Sequence, residues 1–150
     1  MARVCSPVAV VTTIDEGRPH GTTVSAFTSL SLHPPMILVS LDVSSELLAL
    51  VLRTQRFGLN VLGRTQADLA LRFATKGPAK FAGVSWTANH GSARLTGNAA
   101  WAACEVADVI EGGDHRIVLG NVLTVDAGDA EPLTYYARDF GTHTSLPQAG

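Results

Sequence analysis

Runs of apolar, β-branched residues alternate with short polar breaks through the first third of the chain. Val8–Ile14 is almost free of charge, which predicts a strand with both faces buried or nearly so. Residues 15–17 predict a turn, after which His20–Phe27 returns as a second strand. Two further strands are predicted at Ser29–Leu32 and Met36–Asp42, separated by the break at His33-Pro34-Pro35.

Two segments have helical periodicity instead. The apolar residues of Ser44–Arg53 recur on one helical face, and Ser44 or Ser45 is the predicted N-cap. A strand is predicted at Phe57–Leu62. A second helix is predicted at Thr65–Ala74, with Thr65 as its N-cap.

The second half of the chain is predicted to be mostly strand. One long strand is expected at Leu95–Ile110, followed by a turn at Gly112–Asp114, a partner strand at His115–Val125 and a short last strand at Leu133–Tyr136. The segment Trp86–His90 is ambiguous. Strands without regular alternation with helices predict a mainly β fold, an antiparallel barrel or sandwich with appended helices, and residues 1–150 are expected to form one domain.

Composition limits the partners of this fold. The chain is 46% hydrophobic and only 16% charged, which favours a surface partly covered by another subunit or a ligand. A net charge of −2 with scattered basic residues argues against nucleic acid. No apolar run is long enough to cross a membrane, and the first residues do not have the pattern expected of a signal peptide. Cys5 and Cys104 could pair, but we expect a cytoplasmic protein with reduced thiols.

The chain lacks the common catalytic motifs. There is no GxGxxG, P-loop, GxSxG, HExxH or CxxC pattern. The five histidines are isolated in sequence, so we expect no metal site.

Two features remain as candidates. The segment Thr22–Ser31 is rich in small hydroxyls and is followed by two prolines, so it predicts a bent stretch whose main chain and hydroxyls suit a flat ligand with polar edges. The second is Gly112-Gly113-Asp114-His115, which predicts a hairpin turn. His115 directly after that turn is either an ordinary rim residue or a hydrogen-bond donor to a phosphate, an amide or a flavin edge.

Several blocks in this order and spacing resemble the flavin reductase-like family, the short-chain NAD(P)H:flavin oxidoreductases. They are PVAVVTT, GRPHGTTVSAFTSLSLHPPMILVSLD, FGLNVL, LALRFA, KFAGVSW and GDHRIVLGNVL, and they span about Val8 to Gly141. The resemblance implies a split β-barrel of the FMN-binding type, with Greek-key topology and flanking helices, that forms a homodimer.

The resemblance also implies a set of site residues. The flavin ring would be met by Thr23, Val24, Ser25 and Ala26, with Ser29 and Ser31 close behind. The ribityl-phosphate end would be held by Leu41, Asp42, Ser44 and Ser45, where a helix N-terminus suits an anion. Asn60 would approach flavin, unless it is bonded to backbone. Gly113, Asp114 and His115 match the motif associated with the nicotinamide nucleotide, and His115 is the catalytic candidate.

The implied activity is hydride transfer from nicotinamide C4 to flavin N5, which needs no protein nucleophile. The flavin would be FAD or FMN, and the donor NADH, with NADPH as the alternative. The reduced flavin would go to a flavin-dependent monooxygenase. Two other interpretations remain open at this point, a flavin-binding sensor or carrier without reductase activity and a barrel that binds heme or pyridoxal phosphate.

Overall fold

The computed structural model describes residues 2–147, and within them the chain forms twelve strands and two helices. The strands are β1 (Ser6–Pro7), β2 (Ala9–Asp15), β3 (Arg18–Val24), β4 (Phe27–Leu32), β5 (Pro35–Asp42), β6 (Arg56–Val61), β7 (Trp86–Asn89), β8 (Ser92–Leu95), β9 (Ala100–Gly112), β10 (His115–Ala127), β11 (Leu133–Tyr136) and β12 (Asp139–Thr142). The helices are α1 (Glu46–Thr54) and α2 (Ala67–Ala74).

The main sheet has seven strands in the order β3-β2-β6-β9-β10-β5-β4, and its neighbours are antiparallel. Its two edge strands, β3 and β4, are consecutive in the chain, with only Ser25 and Ala26 between them. Three peptide steps span at most about 11 Å, so the two edges must meet there. The sheet is therefore curled into a barrel, and we call the Ser25-Ala26 link the seam.

The register of the sheet shows that the strands are steeply tilted. A line of cross-strand partners that starts at Val24 of β3 passes through β2, β6 and β9 and reaches Ala127 of β10. A second line, which starts at Phe27 on the other side of the seam, passes through β5 and reaches Val118. This residue is nine positions before Ala127 on the same strand. Closing a sheet with such an offset requires strands inclined to the barrel axis, the geometry of a small split barrel.

The barrel interior is apolar and one end of it is closed by α1. Leu47, Leu48 and Val51 of this helix are buried against residues of the barrel wall, among them Phe57, which is fully buried. The helix forms because its apolar residues recur at three- and four-residue intervals, and it ends where Gln55 adopts a left-handed conformation.

A second apolar cluster lies outside the barrel, under α2 and the two small sheets β7-β8 and β1-β11-β12. Phe73 of α2 is fully buried in it and makes an edge-to-face contact with Phe81, whose ring in turn contacts Trp86. No helix among residues 2–147 is long and apolar enough to cross a membrane.

The structure corrects several sequence predictions. The long strand expected at Leu95–Ile110 is two strands, β8 and β9, because the chain turns at residues 96–99, where Gly97 has a φ of +87°. The strand expected at His20–Phe27 ends at Val24, before the seam. The N-cap of α2 is Gln66 and not Thr65. The ambiguous segment after residue 85 is strand β7, and Cys5 and Cys104 are unpaired.

Candidate functional site

Two motifs that lie far apart in sequence meet at one end of the β5-β10 pair. Asp42 is the cross-strand partner of His115, and the Val43 amide donates to the Asp114 carbonyl at 3.0 Å. The register of these two strands therefore brings the end of the hydroxyl-rich block to the Gly113-Asp114-His115 turn. This meeting point is the candidate functional site.

The His115 ring is held by its neighbour in the chain. Nδ1 lies 2.7 Å from the Asp114 carboxylate, and the imidazole is 43% exposed. An ionised carboxylate only accepts hydrogen bonds, so Nδ1 must carry the proton. In the neutral ring Nε2 is then an unprotonated acceptor, and in the charged ring it is a donor. The turn that presents this ring needs a positive φ of 72° at Gly113, which a glycine adopts without strain.

The carboxylate of Asp42 builds the turn that leads into α1. It accepts hydrogen bonds from the Ser44 hydroxyl at 2.6 Å and the Ser44 amide at 2.7 Å. These two bonds lower the pKa of the exposed Asp42 carboxyl, and the nearby charges of His115 and Lys76 lower it further. Asp42 is thus ionised near neutral pH and fixed beside His115.

The N-terminus of α1 follows this turn. Ser45 is the N-cap, its amide donates to the Asp42 carbonyl at 3.0 Å, and its side chain makes no cap hydrogen bond. The N–H groups of the first helical turn have no partner within the helix, so they and the helix dipole favour an anion at this position.

Two lysines in the loop after α2, which the sequence motifs did not assign to the site, lie close to carboxylates there: Lys76 to Asp42 and Lys80 to Glu46, the first residue of α1. Lys80 donates to the carbonyls of Gly21 at 3.0 Å and Phe73 at 3.1 Å. Partial burial lowers the pKa of its ammonium, and the Glu46 carboxylate opposes that change. Lys76 is close enough to Asp42 to lower the pKa of that carboxyl. Their sequence signal is weak, since both lie in an irregular loop without periodicity.

The hydroxyl-rich segment divides between structural and exposed residues. The Thr23 hydroxyl donates to the Ala70 carbonyl of α2 at 2.6 Å, and Val24 is buried in the barrel core. Ser25 and Ala26, at the seam, are both exposed. The Ala26 carbonyl accepts from the Ser40 amide at 2.8 Å, which places the seam two residues before Asp42 along β5.

Ser29 and Ser31 lie farther from this meeting point. Their partners on β5 are Ile37 and Met36, five and six residues before Asp42. At about 3.4 Å per residue, the separations along the strand are about 17 and 20 Å. Neither serine is therefore brought next to His115 within one chain.

Of the two roles that the sequence leaves open for Asn60, the structure has the side chain bonded to backbone and not exposed to a cofactor. Its side chain is fully buried, and its amide nitrogen donates to the carbonyls of Val10 at 3.2 Å and Ala93 at 3.1 Å. Its oxygen accepts from the Leu95 amide and the Asn98 side chain, both at 2.8 Å. All of its hydrogen-bonding atoms serve the protein interior, as a buried amide requires. Leu41 is likewise buried in the core, so only its main chain is available to a ligand.

Two open clefts lie elsewhere on the surface and contain none of the predicted site residues. The larger, of about 420 Å³, lies beside Arg94 and Trp101, and the smaller, of about 300 Å³, lies beside Asp68 and Arg72. No group of three or more potential metal ligands occurs among residues 2–147. The groups that meet at His115 therefore form an exposed surface with polar edges, which suits an anionic ligand that carries a flat ring.

Comparisons with known proteins agree with this picture. Residues 1–144 match the family model described as "Flavin reductase like domain". The chain is 42% identical over 136 residues to the reductase component of 4-nitrophenol 4-monooxygenase/4-nitrocatechol 2-monooxygenase of Rhodococcus opacus, covering 91% of this chain and 74% of that protein. It is 37% identical over 154 residues to the NADH:riboflavin 5′-phosphate oxidoreductase of Streptomyces pristinaespiralis, covering 99% and 88%.

A solved structure shares the whole architecture. The nitrilotriacetate monooxygenase component B homologue of Mycobacterium thermoresistibile superposes with a TM-score of 0.93 at 31% sequence identity, over 99% of this chain and 87% of that one.

Proposed function

Since the chain belongs to the flavin reductase-like family and is a flavin reductase of the split-barrel fold, we propose that it oxidises NADH and delivers reduced FMN or FAD to a partner monooxygenase. The observation that supports this most directly is the contact between the Asp42–Ser45 turn and the Gly113–His115 turn. This contact places the N-terminus of α1, which favours an anion, next to the His115 imidazole that Asp114 holds, and both lie near the exposed seam.

The exposed residues of the site fit a flavin. Ser25 and Ala26 would meet the ring through the main chain and a hydroxyl, and Ser44, Ser45 and the α1 N-terminus would hold the phosphate end. Asp42 would fix this turn, and Lys76 would offset its negative charge. Bound flavin supplies the hydride acceptor, N5, to which nicotinamide C4 donates.

The imidazole would orient the nicotinamide nucleotide. Asp114 holds Nδ1, so Nε2 is the atom left to contact the carboxamide or a phosphate of the nucleotide. The relative of Streptomyces pristinaespiralis, 37% identical over 99% of this chain, is named an NADH:riboflavin 5′-phosphate oxidoreductase, which supports NADH over NADPH as the donor.

The test is nicotinamide oxidation followed at 340 nm with added FMN or FAD. We expect NADH oxidation with at least one flavin, and a raised KM for NADH in His115→Ala. The matched control is His143→Ala, which removes another exposed histidine. No oxidation with either flavin would reject the proposal, and flavin that stays bound without being reduced would favour a carrier or sensor instead.

We also propose that the protein is a homodimer. Large apolar side chains are exposed on β4 and on the part of β10 that runs past the start of β5: Leu30 (45%), Leu32 (77%), Leu123 (39%) and Val125 (67%). A patch of this kind, without charges of its own, suits a second copy of the same surface. Sedimentation should give twice the chain mass, and Leu32→Glu should give a monomer that keeps its fold.

The remaining assignments follow the same reasoning. The whole chain, residues 1–150, is proposed to be one domain, since strand β2 contributes residues to both apolar clusters, Ala9 and Val11 to the one in the barrel and Val10 to the one outside it. Unpaired Cys5 and Cys104 fit a cytoplasmic location, where thiols stay reduced.

A further inference from the structure

The larger of the two open clefts lies on the outer face of the barrel, away from His115. Trp101 of β9 and Asp126 of β10 are cross-strand partners, and both line this cleft. Ala102 belongs to the cluster inside the barrel, so its neighbour Trp101 points outward, because side chains alternate along a strand. Asp126 follows His115 by eleven residues on β10, about 35 Å along the strand, so the cleft is separate from the candidate functional site.

Two polar atoms on residues that line the cleft are buried without a hydrogen-bond partner among residues 2–147. One is the donor Nε1 of Trp101, a side chain of which only 3% is exposed, and the other is the acceptor Oδ1 of Asn98. The Asn98 amide nitrogen already donates to the Asn60 oxygen at 2.8 Å, which fixes the orientation of the amide. Since buried polar atoms in folded proteins nearly always have a partner, this donor and acceptor point to a ligand that supplies both.

The charged groups of the cleft disfavour an anionic ligand. The Arg94 guanidinium lies over the Trp101 ring, 5.2 Å from its centroid, and forms an ion pair with Asp126. Asp129 adds a second carboxylate to the lining, so negative charges outnumber positive ones there. A carboxylate or phosphate entering the cleft would be repelled, whereas an uncharged molecule would not.

The size and remaining lining of the cleft suit a small molecule with an apolar body. Leu95, Ala100 and Ala130 supply apolar atoms, and the volume of about 420 Å³ is within the range of small-molecule sites. The rim is formed by exposed turns that contain Gly97 and Gly128. Because both unpartnered polar atoms are covered, a ligand reaches them when this exposed rim gives way.

We propose that this cleft is a second binding site, for an uncharged molecule that carries a hydrogen-bond acceptor next to a donor on an apolar body, as in an aromatic carboxamide or a lactam. Its carbonyl accepts from Trp101 Nε1, and its N–H donates to Asn98 Oδ1. Its apolar body lies against Leu95 and Ala100. This inference is independent of the proposed function, since the cleft shares no residue with the candidate functional site.

The experiment observes the Trp101 indole directly. The chain has two tryptophans, so Trp86→Phe leaves Trp101 as the sole source of an indole N–H signal in a proton–nitrogen NMR spectrum, and it keeps an aromatic ring against Phe81. The probes are benzamide, acetophenone, which lacks the donor, and benzoate, which is negatively charged. We expect benzamide to move the indole signal downfield with saturation, acetophenone to bind about tenfold more weakly or worse, and benzoate to leave the signal unchanged.

Variants made in the Trp86→Phe protein locate the binding. Thr87→Phe, at an exposed residue of the lining, should abolish the shift caused by benzamide. The control Ala88→Phe, at the next exposed residue of β7 and outside the lining, should keep it. Should Thr87→Phe not fold, Ala130→Phe, at another exposed residue of the lining, replaces it.

Three results would overturn the proposal. An indole signal that benzamide does not move would show that the cleft takes no such molecule. Equal shifts with all three probes would show that neither the donor nor the charge of the ligand is recognised. A benzamide shift that persists in Thr87→Phe would place the probe outside the cleft.

Discussion

Replacing Asn60 by leucine separates a structural role from a cofactor contact. Leucine has a similar volume and no hydrogen-bonding atoms, so it removes the amide without opening a large cavity. The Asn60 oxygen accepts from the Leu95 amide and the Asn98 side chain, and its nitrogen donates to the carbonyls of Val10 and Ala93. The substitution deprives all four groups of a partner.

The expected loss follows from the two donors that depend on the Asn60 oxygen. The Leu95 amide and the Asn98 side chain each bond to it at 2.8 Å, and Leu95 is almost fully buried. An unsatisfied buried donor costs about 1–3 kcal/mol, so the free energy of unfolding should fall by about 2 to 6 kcal/mol. For a chain of this length that lowers the melting temperature by roughly 5 to 20 °C.

Urea unfolding followed by tryptophan fluorescence measures this change, and flavin titration measures the site. We expect Asn60→Leu to lose stability and to keep the flavin dissociation constant of wild type wherever it is folded. Asn121→Leu, a half-buried asparagine of β10, is the control and should lose less stability. A variant with wild-type unfolding and weakened flavin binding would refute the structural role.

Three further outcomes are expected. Gly120→Ala should lower stability by about 1–3 kcal/mol in urea unfolding, because its Cβ would lie 2.5 Å from the Phe57 ring, and an unchanged midpoint would contradict the packing. Burial raises the pKa of the Cys104 thiol to about 12. As pH rises above about 9, the thiol ionises in the unfolded chain but stays protonated in the folded one, so the free energy of unfolding should fall by up to about 1.4 kcal/mol per pH unit. The Cys104→Ala variant should not show this contribution to the pH dependence, and an identical pH dependence in both proteins would contradict the burial of the thiol. Ser44→Ala should raise the pKa of the Asp42 carboxyl, measured by carbon NMR titration, since it removes the hydroxyl that contributes most to lowering it; an unmoved titration would count against that bond.

Much of the secondary structure follows from local pattern, and the exceptions have identifiable causes. The apolar run through Leu95 and the alanines after it looks continuous in sequence. The chain nevertheless turns there, because Gly97 has a positive φ and the Gln66 side chain donates to the Thr96 carbonyl at 2.8 Å. Gln66 also accepts from the Gly63 amide, and it is the N-cap in place of Thr65 although its side chain makes no cap hydrogen bond. These contacts join distant segments, and no local pattern records them.

The candidate site was predictable as two motifs but not as one place. The turn at Gly113-Asp114 and the helix beginning near Ser45 follow from turn chemistry and periodicity. That Asp42 faces His115 depends on the register of β5 against β10, strands more than seventy residues apart in the chain. Asn60 is the opposite case: the motif allows either a flavin contact or a side chain bonded to backbone, and only the fold shows that its amide bonds to the backbone of the core.

The way the sheet closes has a consequence for synthesis of the protein. The link at Ser25 and Ala26 is synthesised about ninety residues before His115, the first residue of β10. No continuous fragment shorter than residues 25–115 contains both halves of the site. The binding site of a nascent chain is therefore incomplete until β10 pairs with β9 and β5. Flavin binding during synthesis would show that β10, the last strand of the main sheet, is in place.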